Sequence, residues 1–333
     1  MQTKSYCLAA LAATAISVAG VSQAESIRLE WVIQGQFAGP IVALDKGYFK
    51  EAGIDMTLQP AGPDLKPTTM VATGVDSFGI GHPHQVIAAR SNDVPLVTVS
   101  QWGQKSATTY VSRKEAGIET MADMPGHSVG LWFGGDELEF QAMLKSAGIE
   151  QSDVKIISQG YDIVSWLNGD YDVMQVARYN ELLLVYANGY PPEKLNYLNA
   201  EDAGVTFVSG GLFTTEKQIS ENPEMVQAVV SASLRGWKEA FEDPEAAADI
   251  VMKYNTELEH DFQVAQIKAM NDIACAGPSL EGKFGASEMS DWVTVQGILL
   301  DAGLIDTETD LSKGFTNQFV DEAPAEYRDI PCE

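Results

Sequence analysis

The chain has 333 residues, 45% of them apolar, and carries 47 acidic against 21 basic side chains for a net charge of −26. That length is more than one ordinary core needs and predicts two lobes of common domain size. The acidic excess excludes nucleic acid and anionic membrane surfaces as partners, because no basic patch is there to release counterions.

Residues 1–24 read as a secretory signal: Lys4 supplies the positive start, residues 7–21 are an apolar run too short to span a bilayer, and Ser22-Gln23-Ala24 is a small-x-small cleavage site. Cleavage after Ala24 gives an exported, periplasmic chain that has lost Lys4 and no acid, and no other stretch is apolar enough for a span. Of three cysteines, Cys7 leaves with the signal, and Cys275 and Cys332 remain. An oxidising compartment and an even count favour one disulfide over two free thiols.

The mature chain opens with an apolar strand over 27–33, a polar glycine-bearing loop over 34–39, a helix over 40–52 and an alternating strand over 54–58. This strand–loop–helix–strand unit builds parallel sheets, whose ligands sit at the carboxyl ends of strands. The pattern repeats. Strands are predicted at 75–80, 94–100, 108–112, 128–132, 154–157, 173–176, 195–198 and 205–209. Helices are predicted at 83–90, 134–147, 163–167 and 179–187, and then at 226–241, 244–254, 261–274 and 287–302 with little strand pattern left. The result is an α/β, bilobal architecture of two parallel-sheet lobes joined by a hinge. Lobe 1 takes 25–110, lobe 2 takes 111–204, and 205–333 returns to lobe 1 with the C-terminal helices. The crossings are expected near 110–113 and 203–209.

Several blocks carry a family resemblance: WVIQGQFAGPIVALDKGYFKEAGIDMTLQPAGPD from Trp31, TGVDSFGIG from Thr73, WFGGDELEFQAMLKSAG from Trp132, LNGDYD from Leu167, Tyr179-Asn180-Glu181, and ASLRGWKEAFEDPE from Ala232. These resemble the periplasmic solute receptors of ABC importers, in the branch that serves thiamine-pyrimidine precursors, riboflavin and alkanesulfonates. The loop Gln36-Phe37-Ala38-Gly39 and the WFGGDE block look most like the riboflavin receptors; the pyrimidine receptors usually show histidine where this chain has Phe37. The resemblance implies a type II periplasmic-binding-protein fold, a small heterocyclic ligand, an inner-membrane permease as partner and a monomer. The same fold family includes a fungal enzyme that builds the thiamine pyrimidine from its own histidine and bound pyridoxal phosphate. The aligned loop here, 79–85, has no lysine for the aldehyde, and no cysteine cluster exists, so a Schiff base has no amine there.

A flat heterocycle wants aromatic faces and a few fixed edge groups. Gln34 and Gln36 offer amides and Phe37 a face, with Trp31 ranked below them. Gly81 lets the backbone approach, and Gln85 opens a helix. Trp102 stands near the first crossing. In the second lobe Trp132 and Phe133 offer stacking, Gly134 and Gly135 offer N–H groups at a helix start, and Asp136 reads as that helix's cap. Tyr161, Asp162, Tyr179, Asn180 and Glu181 follow strands and point to the same mouth. His82 and His84 read as a satisfied or exposed pair rather than metal ligands. No catalytic constellation, metal site or cofactor is expected: neither Gly-x-Ser-x-Gly nor His-Glu-x-x-His occurs. The reading is a receptor for riboflavin or a related flavin, with a thiamine-pyrimidine precursor second and a synthase-like enzyme third.

Overall fold

The computed structural model describes residues 24–62, 65–133, 135–205 and 207–332. The predicted signal lies outside them but for Ala24, as does Gly134. Among the described residues no helix is long and apolar enough to cross a membrane.

Ten strands form two five-stranded sheets. They are β1 (Glu25–Arg28), β2 (Met56–Gln59), β3 (Phe78–Gly81), β4 (Leu96–Gln101), β5 (Thr108–Arg113), β6 (Ser128–Leu131), β7 (Lys155–Ser158), β8 (Val173–Ala177), β9 (Leu195–Leu198) and β10 (Gly211–Thr215). The first sheet has the order β2-β1-β3-β10-β4 and the second β7-β6-β8-β5-β9. Each is mixed rather than parallel. β10 runs antiparallel to β3 and β4, and β5 runs antiparallel to β8 and β9. The two reversed strands are those that receive the chain from the other lobe. The chain leaves a lobe at the carboxyl ends of its strands, so it enters the next sheet from that same end and must run against its neighbours.

This placement corrects two expectations. Residues 110–113 belong to β5, inside the second sheet, and the first crossing is 102–107. The second crossing, expected at 203–209, does fall between β9 and β10, but Val205 and residues 207–209 are in no strand; the returning strand is β10, beginning at Gly211. An apolar segment without a facing partner cannot enter a ladder.

The first-sheet core contains Ile27, Leu29, Phe78, Leu212 and the helix Pro223–Glu242, which lies across Ala38–Asp45. Gly39 and Gly236 meet at that crossing, where a Cβ on Gly39 would overlap the Trp237 ring and one on Gly236 would overlap the Gly39 carbonyl. The glycine of the predicted polar loop is therefore helical and serves helix packing. Phe37 closes the short helix Gly35–Phe37 just before it and is 2% exposed in the same core. Cys275 and Cys332 form a disulfide that ties the C-terminal tail to the end of helix His260–Ala274. The second sheet has a core on each face, one around Tyr110, Val129 and Phe140, the other around Trp166, Met174 and Val185.

Candidate functional site

The carboxyl ends of both sheets face one another across a cleft of about 490 Å³. Trp31 follows β1, His82 follows β3, Trp132 follows β6, Tyr161 follows β7, and Tyr179, Asn180 and Glu181 follow β8; all of them line it. Strand ends converge there because every βα connection must turn at that edge.

Three aromatic rings run across the cleft. Tyr161 lies 5.3 Å from Trp31 of the opposite lobe, and 6.1 Å from Trp132 at an interplanar angle of 12°. Tyr161 is 56% exposed, so its ring is held by these faces and not by core packing. Trp132 is fixed by its own lobe: its Nε1 donates to the Gly160 carbonyl at 2.9 Å, and its backbone N–H donates to Gln175 Oε1 at 2.9 Å. Gln175 also donates to the Asp136 carbonyl at 2.8 Å, so one buried amide within β8 holds both Trp132 and Asp136. A polar amide inside the otherwise apolar run VMQVA was the sequence signal for that role.

In the first lobe, Gln34 donates to Gln36 at 2.5 Å, and Gly35 N donates to Gln263 Oε1 at 2.7 Å, which anchors the loop to helix His260–Ala274. His82 pairs with Glu30 at 3.1 Å, and Gln85 accepts from the His82 N–H at 3.0 Å while its Nε2 reaches Glu30 at 3.4 Å. Gln85 thus lines the cleft with both ends of its amide engaged. A second bridge joins the lobes: Gln266 donates to Asn180 Oδ1 at 3.1 Å. Asn180 in turn donates to Glu181 at 2.7 Å, and Glu181 accepts the Ala177 N–H at 3.1 Å.

The walls carry carboxylates from both lobes, Glu30, Asp136 and Glu181, with His82 and Lys66 as the basic groups. Burial opposes charge on His82, but the Glu30 carboxylate, with Asp136 and Glu139 further off, outweighs it and raises its pKa to about 8. Asp136 meets solvent through the open cleft, yet protein crowding raises its carboxyl to about 6 against the pull of His82. Burial also raises Glu181.

Sequence reasoning placed Gln34, Gln36, Gln85, Trp132, Tyr161, Tyr179, Asn180 and Glu181 at the mouth, and the structure brings them together. It does not bring Phe37, Gly81, Trp102, Phe133, Gly135 or Asp162 into the wall. Phe37 and Trp102 are buried in the first core, where Trp102 meets Trp237 edge-on at 5.6 Å. Gly81 is a β3 residue where a Cβ would collide with Gln85 and Phe213. Phe133 is 52% exposed. Gly135 N donates to Glu137 Oε2 at 2.8 Å and the helix starts only at Leu138, so the Gly135 N–H is already engaged and does not stand at a helix start. Asp162 accepts from Val164 N at 2.7 Å at the start of helix Val164–Asn168. Asp136, expected as a cap, caps nothing and faces the cleft. Glu30, His82 and Lys66 were missed as wall residues. Among the described residues no group of three or more His, Cys, Asp or Glu is placed to hold a metal.

The model of a family described as "NMT1/THI5 like" matches residues 34–247. A riboflavin-binding protein of Chloroflexus aurantiacus is 23% identical over 307 residues, covering 90% of this chain and 86% of that one. A formylaminopyrimidine-binding protein of Halalkalibacterium halodurans is 24% identical over 279 residues, covering 81% and 82%. A 4-amino-5-hydroxymethyl-2-methylpyrimidine phosphate synthase of Legionella pneumophila is 21% identical over 322 residues, covering 92% and 96%. Among solved structures, the periplasmic aliphatic sulphonate binding protein of Escherichia coli superposes with a TM-score of 0.70 at 14% identity, over 88% of this chain and 92% of that one. The bilobal α/β architecture is that of the periplasmic binding proteins.

Proposed function

The chain belongs to the NMT1/THI5-like family, and from that premise we propose that it is the exported solute-binding component of an ABC-type importer, holding a flat nitrogen heterocycle between its lobes. The observation that carries the reading is the aromatic run Trp31–Tyr161–Trp132 across the cleft. Rings shared between two lobes make ligand stacking strengthen on closure, which is how a hinged receptor captures cargo. Each good stack adds roughly 1 kcal/mol beyond area burial. The remaining affinity comes from apolar burial and edge bonds to Gln34, Gln36, Asn180 and Glu181, the last two sitting on the interlobe bridge.

Riboflavin or a related flavin is the first ligand: the cleft of about 490 Å³ is of ordinary small-molecule size, and a relative of matching length bears that name. An aminopyrimidine is the second, favoured by the Asp136 carboxylate at the cleft wall, which asks for an N–H donor. The protein acts as a monomer, delivers its ligand to an inner-membrane permease, and makes and breaks no bond; the loop His82–Gln85 offers no lysine for aldehyde chemistry. Purified mature protein tests this directly. Retained yellow flavin, or calorimetric binding of riboflavin or an aminopyrimidine with the ligand recovered unchanged, supports the receptor. Conversion of the ligand overturns it.

A further inference from the structure

Helix His260–Ala274 of the first lobe carries two glutamines one turn apart, Gln263 and Gln266, 1% and 0% exposed. Their amides are used differently. Gln263 Oε1 accepts the Gly35 N–H at 2.7 Å, so it seats a loop of its own lobe. Among the described residues the Gln266 side chain makes no hydrogen bond within its own lobe. Its Nε2 donates to Asn180 Oδ1 of the second lobe at 3.1 Å, and its Oε1 is buried without a partner. A Cβ on Gly35 would come within 3.2 Å of that Oε1, so the amide lies pressed against the Gly35 backbone. A buried carbonyl left unpaired costs stability. An apolar side chain of the same length would therefore suit the first lobe better, and what the amide serves is the bond to the other lobe.

The direction of that bond is set from its far end. The Glu181 carboxylate only accepts, so Asn180 turns its Nδ2 to Glu181 Oε1, at 2.7 Å, and is left with Oδ1 towards Gln266, which must then donate. Glu181 Oε2 accepts the Ala177 N–H at 3.1 Å, so both carboxylate oxygens are held. Asn180 and Glu181 line the cleft; Gln266 does not. We propose that Gln266 is a positioning residue that couples closure of the lobes to the orientation of the Glu181 carboxylate in the cleft. When the lobes meet, Gln266 fixes the Asn180 amide in the one orientation that donates to Glu181. When they part, that amide is free to turn and Glu181 loses a fixed donor. The inference rests on the receptor reading of the cleft and adds to it a residue outside the wall.

The test compares Gln266→Met with the wild-type mature chain in thermal melts and in calorimetric titrations with riboflavin and with 4-amino-5-hydroxymethyl-2-methylpyrimidine. Methionine keeps the length and removes the unpaired carbonyl together with the bridge. The melting temperature is expected to stay level or rise while affinity for the probe that binds falls about 5-fold, the worth of one hydrogen bond. In an Asn180→Ala background the same substitution is expected to change affinity by less than about 2-fold, because the relay is already cut. Unchanged affinity overturns the inference. So does an equal loss in both backgrounds, or a loss of stability alongside the loss of affinity, since either marks a merely structural glutamine. Failure of Gln266→Met to fold overturns it too, because the first lobe would then need the amide. If the wild-type chain binds neither probe, the ligands proposed above fail and small-angle scattering decides the inference alone: Gln266→Met must enlarge the radius of gyration, and equal radii overturn it.

Discussion

Loop 102–107 follows β4 and loop 132–137 follows β6, and each opens on a tryptophan at the carboxyl end of a strand; yet Trp102 is sealed in a core while Trp132 faces the cleft. The difference lies in what covers each strand end. Over β4 lie the C-terminal helices. Trp102 meets Trp237, Gln104 N donates to the Ile273 carbonyl at 3.1 Å, and Gln104 Nε2 donates to the Ala286 carbonyl at 2.9 Å. Over β6, among the described residues, no C-terminal helix is bonded to the loop in this way. Trp132 is in none of the apolar clusters; Tyr161 stacks on it, and two hydrogen bonds hold it to its own lobe. A strand end places a residue near a cleft; the return of the chain decides whether that residue stays open to it.

The comparison breaks most visibly at Trp102. Trp102→Ala empties a filled core site, and the expected cost is about 3–5 kcal/mol of stability, read by urea denaturation; a loss below 1 kcal/mol would mean the covering helices do not hold this loop. The disulfide is the next lever, because Cys275 ends the helix that Gln104 binds. In the loop model, closing 57 residues stabilises by about 4 kcal/mol. The double variant Cys275→Ser, Cys332→Ser is expected to lose most of that, with the melt of the first lobe lowered ahead of the second.

Glu139 joins the two loops, since its carboxylate accepts from Ser106 of the first and stands at the start of the helix that follows the second. Burial raises its pKa from the usual 4.5 to about 7 in spite of the three hydroxyls that bond it. The folded form then holds a proton that the unfolded chain has lost between these values, so stability falls as pH rises from about 4.5 to 7. A shift of that size corresponds to a change on the order of 3 kcal/mol. Glu139→Gln is expected to flatten this part of the pH–stability curve, and an unchanged slope would show that the hydroxyls keep Glu139 ionised. The smallest effect sharpens the other side of the comparison. Tyr161→Ala should leave stability within about 0.5 kcal/mol, as exposed positions do, yet weaken ligand binding about 5-fold, the equivalent of one aromatic stack. Equal affinity would remove the ring from the site.

The strands that repeat apolar residues over four to six positions were legible: β9 and the helix Pro83–Arg90 stand where periodicity puts them, and β3 to β8 begin within about three residues of expectation. The site was legible where a polar or aromatic residue follows a strand of the second lobe, as at Trp132, Tyr161 and the Tyr179–Glu181 turn. It was misread where a later segment covers the strand end, as at Phe37 and Trp102, and where a side chain recruits a distant partner, as His82 does with Glu30.

Local pattern by itself determined the alternation of strands and helices, the two-lobed layout and the edge at which a ligand would sit, because these follow from the period of apolar residues and from the turn each strand must make. Only the folded chain decided the reversed strands β5 and β10, the burial of Trp102 beneath Trp237, and the meeting of His84, Glu139 and Asp136 at one junction. Each of those depends on segments far apart in the chain arriving at the same place, and no window of neighbouring residues records such an arrival.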